Sequence, residues 1–229
     1  MGVGEPLLNL KLLEEVYNNE LYIKEVLGYE KINYAIATMM PTKLDKLIKL
    51  FTNLNIPLKL HFSLHTPINE DRIKLIPSTK VNVEEALSGL VQFRDALQAN
   101  NKIMNKYKYF HRTNDPVEVH YTLIENVNDS KKALELICDL LKRYRIPIKF
   151  IRFNPINDLH ISKREDLWIS TIRNNVKDLR VKTYSPPGRE IGSSCGEFTK
   201  HYYHEEIETP QQLQEFKDWK TRHQIFEEI

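Results

Sequence analysis

Apolar runs of strand length alternate with helical patterns along most of this chain, and that alternation limits the fold more than any other feature. Residues 31–38 (KINYAIAT), 58–64 (LKLHFSL), 117–124 (VEVHYTLI), 148–153 (IKFIRF) and 179–184 read as strands. Between them, residues 44–53, 83–106, 129–144 and 163–174 carry helical periodicity, and Glu84 and Glu85 suit the first turn of the longest of these. A further helical stretch covers 9–27. Five strands with helices between them imply an α/β fold with a mainly parallel sheet, either a barrel or an open doubly wound sheet. Ligand sites in such folds lie on loops at the carboxyl ends of the strands.

Size and charge narrow the function classes. The chain has 229 residues, 41% hydrophobic and 28% charged, enough for one globular core. A net charge of +2 gives no global signature of nucleic-acid binding, so any RNA contact rests on local patches. No apolar run is long enough to span a bilayer and no signal peptide precedes the first motif, so the expectation is a cytoplasmic protein without a membrane partner. Two cysteines, Cys138 and Cys195, argue against a disulfide scaffold and exclude an iron–sulfur cluster held by three or four cysteines of this chain alone. Residues 209–229, opened by Thr209-Pro210, read as an amphipathic helix. A boundary near residue 204 separates a core, 1–204, from this tail, 205–229.

Four segments at predicted strand ends are candidates for chemistry. Met1-Gly2-Val3-Gly4-Glu5-Pro6 is a compact turn feeding a helix, in which glycine opens the backbone to a ligand and proline fixes the exit. Ser63-Leu64-His65-Thr66-Pro67 follows the second strand, Asn154-Pro155 follows the fourth, and Ser193-Ser194-Cys195-Gly196-Glu197 lies in a Gly/Pro-rich loop. Each has an ordinary reading: a simple turn, a hydrogen-bonded loop, a turn initiator, a small buried thiol. The glycine and serines around Cys195 favour an exposed, reactive thiol. Cys138 sits in an apolar helical pattern and reads as core, and His61 as core or barrel lining. A cysteine-nucleophile enzyme built on Cys195 with His65 or His201 has no supporting spacing.

In this order and spacing the segments resemble the radical S-adenosylmethionine RNA (adenine) methyltransferases of the RlmN/Cfr family. The matching stretches are MGVGEPLLN at 1–9, FSLHTPINEDRIKLIPSTK at 62–80, VHYTLIENVNDS at 119–130, IRFNPIND at 151–158 and SCGEF at 194–198. The resemblance implies a partial (β/α) barrel of the radical SAM type, N-terminally incomplete here. It implies that Gly4 and Glu5, Ser63, Leu64 and His65, and Asn154 line the S-adenosylmethionine site. It implies that Cys195 is methylated and passes its carbon to an adenine carbon of rRNA or tRNA by a radical route, with an electron donor and RNA as partners. The family's [4Fe-4S] cluster sits on a C-x3-C-x2-C loop placed before the MGxGEP segment, so no metal ligand is assigned in this chain.

The family's second redox cysteine, its N-terminal RNA-binding domain and its first barrel strand are expected upstream as well. Either Met1 is an internal methionine of a longer reading frame, or the polypeptide is a C-terminal fragment. In the second case the alternative is a catalytically inactive RNA- or partner-binding module. Where the family carries a Ser-Thr-rich segment this chain reads AIAT, leaving Thr38 to supply a hydroxyl. Lys102, Lys106, Lys108, His111 and Arg112, interleaved with Tyr107, Tyr109 and Phe110, are expected either as a basic aromatic loop against RNA or as a solvated insertion.

Overall fold

The computed structural model describes residues 5–111, 115–155 and 159–186, with the backbone alone at 109–111. All of these but Pro186 belong to one compact unit, Val3–Ser185. Its centre is a five-stranded sheet: β1 (Tyr34–Thr38), β2 (Leu58–Ser63), β3 (Val117–Tyr121), β4 (Ile148–Ile151) and β5 (Val181–Tyr184). The strands lie in the order β1-β2-β3-β4-β5 and every neighbouring pair is parallel.

That order decides between the two α/β architectures. A doubly wound sheet needs a point where the strand order reverses, whereas here it runs monotonically. Parallel crossovers are right-handed almost without exception, so a monotonic order stacks all the connecting helices on one side. The result is the wall of a partial (β/α) barrel, helices outside and one concave face inside.

The pleat sorts side chains between these faces. On β2, Leu58, Leu60 and Phe62 are fully buried in the core cluster, joined by Val117, Val119 and Tyr121 of β3 and Ile148 and Phe150 of β4. The alternate positions carry Lys59, His61 and Ser63, then Glu118 and His120, then Lys149, then Lys182.

The apolar face is covered by α3 (Asp45–Leu54), α5 (Val83–Gln98), α7 (Lys131–Tyr144) and α8 (Glu165–Asn175), through Leu47, Phe51, Leu90, Phe93, Ile137, Leu141, Trp168 and Ile172. Local sequence sets the helix starts. Asn82 Oδ1 accepts from Glu85 N at 2.8 Å at the start of α5, and Ser130 Oγ accepts from Ala133 N at 3.2 Å at the start of α7. Cys138 is a buried residue of α7, and burial pushes its thiol pKa up, so it is core.

Three departures from the sequence expectations have physical causes. The helical stretch at 9–27 is a 3-10 turn (Pro6–Leu8) followed by α1 (Leu10–Asn18) and α2 (Glu20–Leu27), broken at Asn19, with α2 stopped by Gly28 at φ +68°. The stretch at 83–106 is also two helices. Asn100 caps α6 (Asn101–His111), its Oδ1 accepting from Lys102 N and Ile103 N. A short helix, α4 (Asn69–Leu75), occupies a stretch to which the sequence reading assigned no element, with Glu70 and Asp71 in its first turn.

Up to His111 the basic aromatic segment is therefore part of α6 rather than a loop, and Arg112 lies outside the described residues. Tyr107 is fully buried and its hydroxyl donates to Asp115 O at 2.8 Å, which removes it as a stacking surface for bases. Among the described residues no helix is long and apolar enough to cross a membrane.

Candidate functional site at the carboxyl edge

The carboxyl ends of β1, β2 and β3 are tied together by buried hydrogen bonds. At β1, the Glu5 carboxylate accepts from Thr38 Oγ1 at 2.6 Å and Leu7 N at 3.1 Å through Oε1, and from Met39 N at 2.9 Å through Oε2. Thr38 Oγ1 in turn accepts from Met40 N at 2.8 Å. Glu5 thus staples the start of the 3-10 helix to the end of β1. Its negative charge has no salt bridge to a described residue, which suits a cationic group of a ligand approaching this edge.

At the end of β2, Leu64 is fully buried and both of its backbone groups are engaged. Its N–H donates to His120 O at 3.0 Å, and its carbonyl accepts from Thr66 N at 2.8 Å and Arg72 Nε at 3.2 Å. Leu64 therefore shapes the turn. His65 follows in the left-handed region at φ +56°. Its Nδ1 accepts from Thr122 N at 3.2 Å, so the neutral ring carries its proton on Nε2. Burial, with His120 and Arg72 nearby, lowers its pKa to about 4, which keeps the ring neutral. Neither Ser63 Oγ nor His65 Nε2 bonds to another described residue.

Two side chains that sequence reasoning passed over organise this edge. Arg72, on α4, is 1% exposed and reaches four acceptors. Besides Leu64 O, these are Thr79 Oγ1 at 2.6 Å, Met39 O at 2.7 Å and Ser63 O at 3.3 Å. Its guanidinium also lies 5.0 Å from the Phe62 ring centroid. Burial lowers its pKa to about 10, leaving it charged at neutral pH. Asn128 plays the same part between β2 and β3. Its Nδ2 donates to His65 O at 2.6 Å and Thr122 O at 2.7 Å, and its Oδ1 accepts from Ile124 N at 2.8 Å. An arginine in an acidic-then-basic heptapeptide and an asparagine before Asp129-Ser130 were the available signals.

Of the predicted site residues, Glu5, Ser63, Leu64 and His65 meet in one network. Asn154 is buried just beyond β4 on the same edge of the sheet, two strands along from β2. Gly4 and Cys195, like the whole 205–229 tail, lie outside the described residues.

Below this edge, the concave face carries a charged cluster. Glu118 Oε1 pairs with Lys149 Nζ at 2.9 Å and Glu118 Oε2 with Lys182 Nζ at 3.1 Å. His120 Nε2 lies 3.4 Å from Glu118 Oε1 and 2.7 Å from His61 Nδ1. Burial alone would raise the Glu118 pKa, but hydrogen bonds from His120 and Lys149 and the charge of Lys59 hold it well below the usual carboxylate range.

Comparison with known proteins follows the same geometry. No protein-family model matches the chain. A protein of Clostridioides difficile strain 630, named "Probable dual-specificity RNA methyltransferase RlmN", is 27% identical over 213 residues, covering 88% of this chain and 54% of that protein. Its namesake in Finegoldia magna is 28% identical over 200 residues, covering 86% and 52%. The chain is RlmN/Cfr-like. It spans about half the length of the curated relatives it matches. In three dimensions this RlmN/Cfr-like chain superposes on a radical SAM methyltransferase from Sphaerobacter thermophilus with a TM-score of 0.60 at 20% identity, over 86% of this chain and 53% of that one. That agreement supports the partial-barrel fold.

Proposed function

We propose that the chain binds S-adenosylmethionine at the carboxyl edge of its sheet and serves the methylation of an adenine carbon in ribosomal or transfer RNA, with Cys195 as the methyl-carrying thiol. One observation carries the reading. In a chain that aligns with RlmN proteins over 86–88% of its length, Glu5 and the Ser63–His65 turn, two of the places expected to hold the cofactor, join one hydrogen-bonded network, with the Ser63 hydroxyl and the His65 Nε2–H available to a ligand.

The residues fit a zwitterionic ligand with a cationic centre. The neutral His65 ring offers a fixed donor, Ser63 both donates and accepts, and the Glu5 carboxylate supplies negative charge. Asn154, placed beyond β4, offers an amide to the same edge. Arg72 and Asn128 hold the turns rigid, so little ordering remains when the ligand binds. When bound, S-adenosylmethionine supplies the methyl group. The chain's own residues do not fit the iron–sulfur cluster. It has two cysteines, one of them buried in α7, so the cluster is assigned to cysteines outside these 229 residues. The electron donor and the RNA are partners of the complete enzyme.

Titration calorimetry with S-adenosylmethionine tests the site. Saturable binding is expected, weakened at least about tenfold in Ser63→Ala and in His65→Ala. A chain with no saturable binding would return the reading to a non-catalytic RNA- or partner-binding module. Peptide mass mapping of protein recovered from cells fed methyl-labelled methionine tests the thiol. A labelled methyl on the Cys195 peptide, absent in Cys195→Ala, is expected.

A further inference from the structure

The concave face holds more cationic charge than its own carboxylate balances. Lys149 and Lys182 share the single carboxylate of Glu118. Lys59, one pleat below His61 on β2, is only 9% exposed, and its ammonium makes no hydrogen bond or ion pair with a described residue. Among the described residues, three ammonium groups therefore face one carboxylate. Arg180 also lies near Lys59, but Asp115 pairs with it at 2.9 Å.

The hydrogen-bond chain beside this cluster ends in a donor. We assign the proton to His120 Nε2, the arrangement in which both Glu118 Oε1, which can only accept, and His61 Nδ1 are acceptors. At 2.7 Å His120 Nε2 donates to His61 Nδ1, which fixes the proton of the neutral His61 ring on Nε2. That nitrogen is buried and has no partner among the described residues. A buried N–H without an acceptor and, two residues away on the same strand, an ammonium whose only nearby carboxylate is already shared by two other lysines both suit acceptor oxygens.

His61, Glu118 and His120 also place three ligand atoms within 4.8 Å, a spacing a metal ion could use. Charge and protonation argue against a cation there. Both carboxylate oxygens are already held by lysines, Lys59 adds like charge, and His120 Nε2 is occupied by its proton.

We propose that the concave face of the sheet binds a phosphate-type oxyanion, held by Lys59, Lys149 and Lys182 and oriented by the His61 Nε2–H. Desolvation, with the charges of Lys182, Lys149 and Arg180, outweighs the attraction of Glu118 and lowers the Lys59 pKa, the direction an added anion would reverse. The ligand's phosphoryl group can come from free phosphate or from a nucleotide. The site is independent of the methyl-transfer reading, because its ligands lie on the strands beneath the carboxyl-edge turns and involve neither Ser63 nor His65.

Thermal unfolding and calorimetry at fixed ionic strength, with inorganic phosphate, adenosine 5′-monophosphate or adenosine as probe, test the proposal without S-adenosylmethionine. Phosphate and the nucleotide are expected to bind saturably and raise Tm, and adenosine to do neither. Lys59→Met is expected to weaken both anions at least about tenfold while raising Tm in phosphate-free buffer, because it removes a partly desolvated charge that two neighbouring lysines repel. That rise shows the variant is folded. Lys163→Met, at an exposed lysine paired with Glu125, is expected to leave binding unchanged. Tighter binding of the nucleotide than of phosphate identifies a nucleotide as the source, and equal binding identifies the phosphoryl group alone. Absence of saturable anion binding, or equal binding by wild type and Lys59→Met, overturns the proposal.

Discussion

The two faces of the β-sheet are built from alternate residues of the same strands, yet different physics specifies them. On β2, Leu58, Leu60 and Phe62 meet helices and are held by packing. Lys59, His61 and Ser63, their immediate neighbours in sequence, meet charge and hydrogen bonds. The convex face answers to volume, so its changes are read in stability. The concave face answers to charge and proton position, so its changes are read in pH dependence and ligand affinity. The carboxyl-edge turns belong to the second regime, although buried side chains lock them in place.

The sharpest test of the contrast is Phe62→Ala. Truncating a fully buried aromatic on the convex face is expected to cost about 3–5 kcal/mol, measured by urea denaturation. A cost below about 1 kcal/mol would mean that the helices do not pack as described.

Glu118→Gln comes next. It leaves Lys149 and Lys182 facing each other without their shared counter-charge. Because both lysines are partly exposed, the expected loss is about 2–4 kcal/mol rather than the full penalty of a buried unpaired ion. Added salt is expected to recover part of it, as it would not for Phe62→Ala.

Acid gives a smaller effect with a defined sign. Burial lowers the pKa of His61 to about 3 and that of His65 to about 4, from 6.5. Between about pH 6 and pH 4 the unfolded chain therefore takes up protons that the folded rings refuse, so stability is expected to fall as pH falls. His65→Gln is expected to flatten the profile of unfolding midpoint against pH over that interval, and an unchanged profile would mean His65 is not held neutral. The least costly change is Ser63→Ala. Stability is expected to move by no more than about 0.5 kcal/mol while affinity for S-adenosylmethionine drops, which separates edge from core.

Much of this architecture is legible in the sequence because periodicity records burial. The clean alternation of Val117, Val119 and Tyr121 with Glu118 and His120 gives β3 and both of its faces. The choice between barrel and doubly wound sheet was legible only through the resemblance of the strand-end motifs, not through periodicity. It depends on which side each crossover takes, and an apolar helix face looks the same on either. The break at Asn100 escaped because helical periodicity runs on through Ala99 and Asn101, while the capping amide acts only on two backbone N–H groups.

At the site, the strand-end turns were visible as motifs, but their fasteners were not. Arg72 reads as an ordinary surface cation of an amphipathic heptapeptide. Nothing local announces that Met39 and Ser63, 33 and 9 residues away, present their carbonyls to it. Lys59 gave no signal either, since a lysine in a strand normally points to water.

Arg72 also bears on how such proteins diverge. Its Nη2 holds the carbonyls of Met39 and Ser63 together, so the loops after β1 and β2 share one fastener. An insertion in either would have to return its carbonyl to the same point. Chimaeras between relatives that exchange only one of the two loops should lose the fit, whereas those that move both with α4 should keep it. These three segments are a single heritable part, despite standing apart along the gene.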